Sequence, residues 1–369
     1  MNKVPFVDLS QQYMELKEET DAAIANVIKN TAYINGPDVK EFEGLLAEHT
    51  GTKYAVGVAN ATAALTMVQL ALGIKKGDEV ITTVHTAMPT AESIVNAGGK
   101  VRFVDIDPKT YCIDADKIET AITPNTKAII PVHLYGIPAN LEKIFAIAKK
   151  HNLYVIEDCA QAQGAMVGDK RVGSMGIAGC YSFFPSKNLG CMGDGGAMCT
   201  NDEKVATFVK MFSNHGRQSK FTHEIPGANE RLDTLQAAVL KLRIKCLDKW
   251  NAHRRAVADM YAKVLADIPQ ITLPQTYPGT TPVWHLFVVR AERRDDLMTY
   301  LKSQGIGFGL HYPLPLHLQP AMAEGYKKGD FPEAEKATSE IVSLPMYGHM
   351  NIDDTNVVAN AIREFYKSK

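Results

Sequence analysis

Short apolar runs alternate with helical patterns between about residues 53 and 200. Six of these runs have the length and composition of strands, and they cover 54–58, 79–83, 101–104, 128–132, 154–157 and 179–183. Apolar positions at helical spacing lie between several of them, for example over 63–72 and 141–150. The strand-like runs are continuously apolar, which is typical of a mostly parallel sheet covered on both faces. The pattern therefore predicts an α/β domain with its ligand site at the carboxyl ends of the strands.

The pattern changes after Asn229. Residues 232–265 predict a long helical stretch, with a break, if there is one, near Trp250. A strand is predicted over 283–290, a helix over 294–304 and a terminal helix over 353–365. We therefore expect a larger domain over 1–245 and a smaller α+β domain over 246–369, which agrees with the usual size of domains in a chain of 369 residues.

Composition and charge remove several classes of function. The 40 Lys and Arg residues balance the 41 Asp and Glu residues, whereas a general nucleic-acid binder needs a basic excess. No apolar stretch approaches the roughly 20 residues of a membrane helix, and the first residues turn acidic where a signal peptide would be apolar. We therefore expect a cytoplasmic protein without nucleic-acid or membrane partners.

Cysteine and histidine patterns give no sign of a metal site. The six cysteines form no C-x-x-C pair, and we expect them to be reduced and structural. The eleven histidines include no H-E-x-x-H motif and no other clustered ligand spacing. The expectation is therefore a protein without a metal ion.

Two short segments at strand ends carry polar groups that suit a ligand. The first runs from Ala59 through Asn60 and Thr62 into a predicted helix, which makes either a plain N-cap or an anion site of free backbone N–H groups. The second places Glu157 and Asp158 at the end of an apolar strand. A buried acid there needs a cation or a donor, unless it only caps the next helix.

Two further segments follow the last predicted strand. Lys187 lies in the turn of 181–190, where it is either a solvated loop lysine or an amine nucleophile with a lowered pKa. The glycine-rich segment 193–196 allows a tight turn or a close approach to a ligand, but it is not a G-x-G-x-x-G fingerprint. An anion site, a buried acid and a strand-end lysine together are what pyridoxal 5′-phosphate (PLP) requires, since the lysine forms a Schiff base and the acid keeps the pyridine nitrogen protonated.

These segments resemble the DegT/DnrJ/StrS sugar aminotransferases, a family of fold-type I PLP enzymes. The resemblance extends from about Phe6 to the C-terminal helix and rests mainly on YSFFPSKNLGCMGDGGA, with EDCAQAQGA before it and GANERLDTLQAAVL after it. LHYPLPLHLQP and SLPMYGHM near the end are also similar to the family. The resemblance implies a large domain with a mostly parallel, seven-stranded sheet between helices, followed by a smaller α+β domain.

The same resemblance implies roles for individual residues. Lys187 would form the Schiff base and carry protons, Asp158 would pair with the pyridine nitrogen, and Gln161 would lie against the ring face or its 3-hydroxyl. The phosphate group would be held by Ala61, Thr62 and Ser182.

Other residues would act across a homodimer or on the substrate. Asn229 would reach the phosphate group in the partner subunit, and Arg231 would lie near the substrate across the interface. His311 and Tyr312 would face the sugar-nucleotide pocket. The implied reaction moves an amino group from L-glutamate to a UDP- or dTDP-linked keto-sugar, with 3-keto favoured over 4-keto. Its product would be an amino sugar for a surface polysaccharide, a glycan or an antibiotic.

Three alternatives to this reaction remain within the PLP enzymes. A sugar dehydratase would resemble the same family but carry histidine in place of Lys187, and a regulatory member would bind PLP without turnover. A keto-inositol aminotransferase would use another acceptor. A nicotinamide-dependent oxidoreductase, from another class, would need the glycine fingerprint that the sequence lacks.

The chain departs from the family pattern at three places. Ala87 replaces the aromatic residue that commonly stacks on the cofactor, so we expect His85 or Met88 to cover that face. Ala61 stands where a glycine is common in the phosphate turn. The motif G-Y-N-Y-R appears as GANER, which removes two tyrosines and affects the substrate more than the type of reaction.

Overall fold

The computed structural model describes residues 3–219 and 221–367. Over these residues the chain forms the α-helices α1 (Ser10–Glu15), α2 (Lys17–Lys29), α3 (Pro37–Thr50), α4 (Ala61–Ala71), α5 (Met88–Asn96), α6 (Ile118–Ala121), α7 (Leu141–His151), α8 (Glu203–Phe212), α9 (Thr234–Arg243), α10 (Leu247–Leu265), α11 (Arg294–Ser303), α12 (Pro332–Glu340) and α13 (Asp354–Lys367). Its strands are β1 (Tyr54–Val58), β2 (Glu79–Thr83), β3 (Lys100–Val104), β4 (Thr126–Ile130), β5 (Tyr154–Asp158), β6 (Met166–Val167), β7 (Lys170–Arg171), β8 (Ala178–Ser182), β9 (Gly196–Thr200), β10 (Ile271–Thr272), β11 (Thr280–Thr281), β12 (Phe287–Ala291) and β13 (Ile341–Leu344).

A seven-stranded sheet with the order β1-β9-β8-β5-β4-β2-β3 forms the centre of the larger part. The pairs β2–β3, β2–β4, β4–β5 and β5–β8 are parallel, whereas β9 runs antiparallel to both β1 and β8. All six strands predicted from apolar runs are present, with ends shifted by at most two residues. The mostly parallel α/β fold is therefore confirmed.

Strand β9 and helix α8 are additions that the sequence pattern did not predict. Strand β9 begins at Gly196, in the glycine-rich segment that was interpreted only as a turn or a close approach to ligand. All five of its residues are buried, because α4 packs over it on one side. Helix α8 begins after Asp202, whose carboxylate accepts hydrogen bonds from the Lys204 and Val205 amides. Strand β9 completes the sheet between β1 and β8, and α8 packs against α4, β1 and β9.

Apolar side chains cover both faces of this sheet. On one side α4, α5 and the core residues of β2 and β4 form a continuous cluster with Leu65 and Ile81 fully buried. On the other side α3 and α9 pack near β1 and β9, where Phe42 meets Phe183 edge to face with ring centroids 5.3 Å apart. Burial on both faces explains why the strand sequences are continuously apolar.

The C-terminal part contains a second, antiparallel sheet in the order β10-β12-β13. The predicted strand 283–290 is corrected to β12, Phe287–Ala291, because the Val283 and Leu286 amides instead donate to the Gly136 and Tyr135 carbonyls of the larger part. The helices predicted over 294–304 and 353–365 are confirmed as α11 and α13.

The predicted helical stretch 232–265 is interrupted earlier than expected. A 3₁₀ turn over Ile244–Cys246 separates α9 from α10, whereas Trp250 lies buried within α10 and donates its indole N–H to Glu15 at 2.9 Å. The break follows Arg243, whose guanidinium donates to the Gly190 carbonyl at 2.6 Å. The domain boundary at 245 falls in this turn and stays a prediction.

The structure also shows the state of the cysteines and the character of the helices. All six cysteines are free, and all but Cys246 are buried. Within residues 3–219 and 221–367, the helices are all too short or too polar to cross a bilayer.

Candidate active site

A cavity of about 750 Å³ opens at the carboxyl ends of the central strands. Its wall brings together eight of the ten predicted site residues, which are Ala61, Thr62, Asp158, Gln161, Ser182, Lys187, His311 and Tyr312. The other two, Asn229 and Arg231, do not line it. The shared cavity is the expected consequence of a parallel sheet, whose strand ends meet at one edge.

The start of α4 supplies donors for an anion. The Asn60 carboxamide oxygen accepts from the Ala63 amide at 2.9 Å and caps the helix. The amides of Ala61 and Thr62 precede the first intrahelical donor, so they remain available at the positive end of the helix dipole. Asn60 therefore caps α4 while the first two amides stay free, so the N-cap and the anion site, which were alternatives in the sequence, are compatible. The Ser182 side chain lines the same cavity from the end of β8.

Gly196 allows this turn to lie close to the sheet. A Cβ atom at Gly196 would stand 2.4 Å from the carbonyl carbon of Asn60 and 2.7 Å from the amide nitrogen of Ala61. Any side chain would therefore displace the turn that carries the free amides. The predicted close approach in the glycine-rich segment is thus a contact between β9 and the anion site.

Asp158, at the end of β5, is buried with its carboxylate held by two donors. The Thr90 hydroxyl donates to Oδ2 at 2.8 Å, and the Ala160 amide donates to Oδ1 at 3.1 Å. The Thr86 hydroxyl lies 3.1 Å from that of Thr90 and donates to it, since the Thr90 proton is already used. Burial raises the pKa of Asp158, and the Ala160 amide, the Thr90 hydroxyl and the charge of Lys187 oppose this rise.

Thr90 lines the cavity and contacts Asp158, and the sequence interpretation missed it. It lies 68 positions before Asp158, and only the fold brings the two side chains together. The two threonine hydroxyls of the segment Thr86–Thr90 are the sequence feature that could have indicated a hydrogen-bond donor for Asp158.

Lys187 lies in the cavity wall after β8, where its backbone amide donates to the Phe184 carbonyl at 2.8 Å. Burial lowers the pKa of its amine from 10.5 to about 8, although the negative charge of Asp158 opposes this change. Lys187 is partly buried and lines the cavity, which favours the amine nucleophile over a solvated loop lysine. An amine with this lowered pKa is neutral often enough to act as a nucleophile and a base.

Gln161 connects two tyrosines by hydrogen bonds. Its carboxamide oxygen accepts from the Tyr135 amide at 2.6 Å, and its amide nitrogen donates to the Tyr312 hydroxyl at 3.1 Å. Burial raises the pKa of Tyr312 to about 12, so the hydroxyl stays protonated. The Gln161 side chain is thus fixed at the cavity wall.

His85 and Met88, which were expected to cover the cofactor face, are not among the residues that line the cavity. His85 is fully buried behind the cavity wall, where its Nε2 lies 2.7 Å from the Tyr135 hydroxyl. That hydroxyl donates to the His311 carbonyl, so His85 is the donor to Tyr135. Ala87 and Pro89 line the cavity at this position.

Successive side chains of the GANER segment point alternately toward the cavity and away from it. The backbone around Asn229 pairs with Asn214, and that of Arg231 pairs with Val58, so the segment is extended. Alternation along an extended backbone places Glu230 toward the cavity, which it lines, and directs Asn229 and Arg231 away from it. Arg231 donates to the Asn214 side chain at 2.9 Å.

A buried group of His133, Glu157 and Cys159 lies beside the site, with potential metal ligand atoms within 4.8 Å of one another. Hydrogen bonds already use most of these atoms. The Glu157 carboxylate accepts from the backbone amides of Gly173, Met175 and Gly176 at 2.7, 2.9 and 2.6 Å. His133 Nδ1 accepts from the Ala139 amide at 3.0 Å, so its Nε2–H donates to Glu157 at 3.1 Å. The group therefore anchors β5 rather than presenting free ligands.

The sequence profile of the DegT/DnrJ/EryC1/StrS aminotransferase family matches residues 14–363. A "Pleiotropic regulatory protein" of Geobacillus stearothermophilus is 45% identical, covering 99% of both chains. A dTDP-3-amino-3,4,6-trideoxy-alpha-D-glucose transaminase of Streptomyces venezuelae is 43% identical, covering 98% of this chain and 96% of the relative.

Solved structures agree with these relatives. The S. venezuelae protein DesV, crystallised in complex with a ketimine intermediate, superposes with a TM-score of 0.97 at 43% identity and covers 99% of both chains. The Bacillus subtilis protein ntda, with the bound cofactor PMP, has a TM-score of 0.92 at 33% identity and covers 100% of this chain and 86% of the other.

The chain therefore belongs to the DegT/DnrJ/EryC1/StrS aminotransferase family. It is a PLP-dependent aminotransferase of fold type I. The cavity suits this cofactor, because a buried carboxylate, a lysine amine and the free amides that begin α4 line one space. Their chemistry matches the ring nitrogen, the aldehyde and the phosphate group of PLP.

Proposed function

We propose that the protein transfers an amino group from L-glutamate to the 3-keto group of a nucleotide-linked sugar, giving an amino sugar. Lys187, Asp158 and the amides that begin α4 line a single cavity, and this observation carries the proposal. The S. venezuelae transaminase supports the choice of position, since its name places the amino group at carbon 3. UDP and dTDP both remain candidates for the nucleotide.

In the proposed site each residue has a defined task toward the cofactor. Lys187 would hold PLP covalently, and the Asp158 carboxylate would accept a hydrogen bond from the protonated ring nitrogen. Gln161 would lie against the ring face or its 3-hydroxyl. The phosphate group would be held by Ala61, Thr62 and Ser182. When bound, the cofactor supplies an electron sink that stabilises negative charge at the reacting carbon.

Lys187 is also the proposed base. Its Nζ would take a proton from the α-carbon of the amino donor and deliver it to the cofactor carbon that had carried the aldehyde, which is possible near neutral pH because burial lowers the pKa of this amine to about 8. Asp158 remains available as a carboxylate because Ala160 and Thr90 donate to it.

The remaining predicted residues would act on the substrate or in a partner subunit. His311 and Tyr312 line the cavity and would contact the sugar nucleotide. Asn229 and Arg231 point away from their own cavity, which supports a homodimer in which they complete the partner's site. We also place the enzyme in the cytoplasm.

The alternative reactions fit the site less well. A dehydratase related to this family would have histidine at position 187, and this chain has lysine. The relative named as a regulatory protein raises the possibility of a member without turnover. An intact lysine, acid and anion site favour a working enzyme over that alternative.

A substrate panel tests the proposal. Purified PLP-loaded protein is incubated with L-glutamate and, separately, with UDP- and dTDP-linked 3-keto and 4-keto sugars and a keto-inositol. Mass spectrometry follows 2-oxoglutarate and the aminated product, with Lys187→Ala as the inactive control. Amination of a nucleotide-linked 3-keto sugar supports the proposal. Amination only of keto-inositol or of 4-keto sugars contradicts the assigned substrate, and no turnover of glutamate contradicts the assigned donor.

A further inference from the structure

His285 is a cavity residue that the sequence interpretation did not consider. It lies in the segment that connects the larger part to β12 and lines the same cavity as Lys187. Its side chain is almost completely buried, with 7% of the residue exposed. An imidazole in the same cavity wall as a reacting amine can affect proton transfer, provided that its own protonation state is fixed.

A chain of hydrogen bonds fixes which ring nitrogen carries the proton. The chain ends at the backbone carbonyl of Gln163, which can only accept, and Asn251 Nδ2 donates to it at 2.8 Å. Asn251 Oδ1 therefore accepts from Asn188 Nδ2 at 2.8 Å, and Asn188 Nδ2 also donates to the Val283 carbonyl at 3.0 Å. Asn188 Oδ1 is left to face His285 Nδ1 at 3.2 Å, so Nδ1 carries the proton.

The other ring nitrogen, Nε2, is consequently a lone-pair acceptor. It has no hydrogen-bond partner within residues 3–219 and 221–367. The backbone of His285 is fixed as well, because Arg254 donates to the Trp284 and His285 carbonyls at 3.2 Å each. The ring therefore presents one nitrogen of defined character at a defined place in the cavity wall.

We propose that His285 is a positioning residue for Lys187, accepting a hydrogen bond through Nε2 from the lysine amine when turnover releases that amine from the cofactor and the lysine side chain turns toward the ring. This role rests on the proposed function only in requiring that Lys187 is released during turnover. Asn188, the residue that follows Lys187, holds the imidazole in the accepting form. The hydrogen bond between Asn188 and His285 thus links the turn that carries Lys187 to the segment before β12.

The charges around His285 favour this neutral form. Burial lowers its pKa well below 6.5, and the charges of Lys187, Arg254 and His311 lower it further. None of these three groups is a carboxylate, so nothing among them stabilises an imidazolium ion. A neutral imidazole accepts a hydrogen bond from the amine and leaves the lone pair of the amine nitrogen free. An imidazolium ion would instead donate to that lone pair and block it.

Nitrogen NMR tests the tautomer independently of turnover. Holoenzyme with ¹⁵N-labelled histidine is compared with His285→Gln, and the signal missing from the variant is assigned to His285. The proposal predicts the Nδ1–H tautomer from pH 6 to 9. An Nε2–H tautomer or an imidazolium ion in this range would overturn it, whatever the sugar substrate proves to be.

Kinetics of the half-reaction with L-glutamate test the role. His285→Phe keeps a ring but removes the acceptor, and we expect a roughly 10- to 100-fold lower rate constant at saturating glutamate with little change in the glutamate concentration for half-maximal rate. His285→Gln keeps an acceptor and should recover part of the loss. His151→Gln, a surface histidine on α7, is the matched control. An unchanged rate in folded, PLP-loaded His285→Phe overturns the proposal.

Asn188→Asp provides a second test if His285→Phe fails to fold. The new carboxylate would face Nδ1–H and raise the pKa of His285 by about one to three units. As the pH falls, Nε2 of this variant gains a proton at a higher pH than in the unmodified protein and can no longer accept a hydrogen bond. The half-reaction should lose rate at a higher pH than in the unmodified protein. An acid limb that stays at its original position contradicts the assigned role.

Discussion

The lowered pKa of Lys187 gives a quantitative prediction for the capture of the cofactor. Only the neutral amine condenses with an aldehyde, and burial brings its pKa from 10.5 to about 8. At pH 7 this makes about one tenth of the amine neutral, compared with about 0.03% for an ordinary lysine. Condensation at pH 7 should therefore be about 300-fold faster than at a lysine with pKa 10.5 and equal access.

Stopped-flow mixing of cofactor-free protein with PLP between pH 6 and 10 measures this directly. The rate should rise tenfold per pH unit below about pH 8 and level off above it, because the amine is then fully neutral. Borohydride reduction and peptide mass spectrometry confirm that the product forms at Lys187. A rate that continues to rise tenfold per unit to pH 10 would refute the argument that burial controls this amine.

Two carboxylate variants test whether the charge of Asp158 is what opposes the lowering of the Lys187 pKa by burial. The charge of Asp158 raises the pKa of Lys187, so Asp158→Asn should move the midpoint below pH 8. Asp194→Asn makes the same chemical change in the same cavity wall and should leave the midpoint in place, since Asp194 is not among the groups that act on Lys187. Equal shifts in both variants would contradict a specific Asp158–Lys187 interaction.

Three further predictions concern the groups around the site. Thr90→Val removes a donor to Asp158, which raises the pKa of the carboxyl and should move the acid limb of kcat upward by about one unit; an unmoved limb in the pH–rate profile contradicts this. Glu157→Gln weakens acceptance from three backbone amides and should lower the free energy of unfolding by about 2–4 kcal/mol in urea titrations, whereas a loss below 1 kcal/mol would show that the carboxylate is not needed. Mixing Lys187→Ala with Asn229→Ala chains should restore part of the activity through one intact hybrid site, and no recovery in hybrids demonstrated by mass spectrometry counts against a shared site.

Much of the fold follows directly from the sequence because its signals are local. Six strands are continuously apolar runs, and burial on both faces of the sheet requires that composition. Strand β9 was missed since it begins with glycine in a segment that resembles a turn. The predicted strand over 283–290 began too early because backbone contacts with Tyr135 and Gly136, distant in sequence, hold its first residues elsewhere.

The site was predictable where motifs carry the chemistry and not where the fold does. Lys187 and Asp158 each lie at a strand end within a recognisable segment, and the cavity brings them together. Thr90 and His285 act through partners 68 and 97 positions away, so no local pattern reveals them. His85 was expected at the cofactor face, but its hydrogen bond to Tyr135 holds it behind the cavity wall.

A crystal structure of the PLP-loaded protein tests the central claim most directly. The account predicts continuous density from Nζ of Lys187 to the cofactor, with the Asp158 carboxylate within hydrogen-bond distance of the ring nitrogen and the phosphate group at the first amides of α4. Cofactor density attached to another lysine, or a ring nitrogen remote from Asp158, would contradict it.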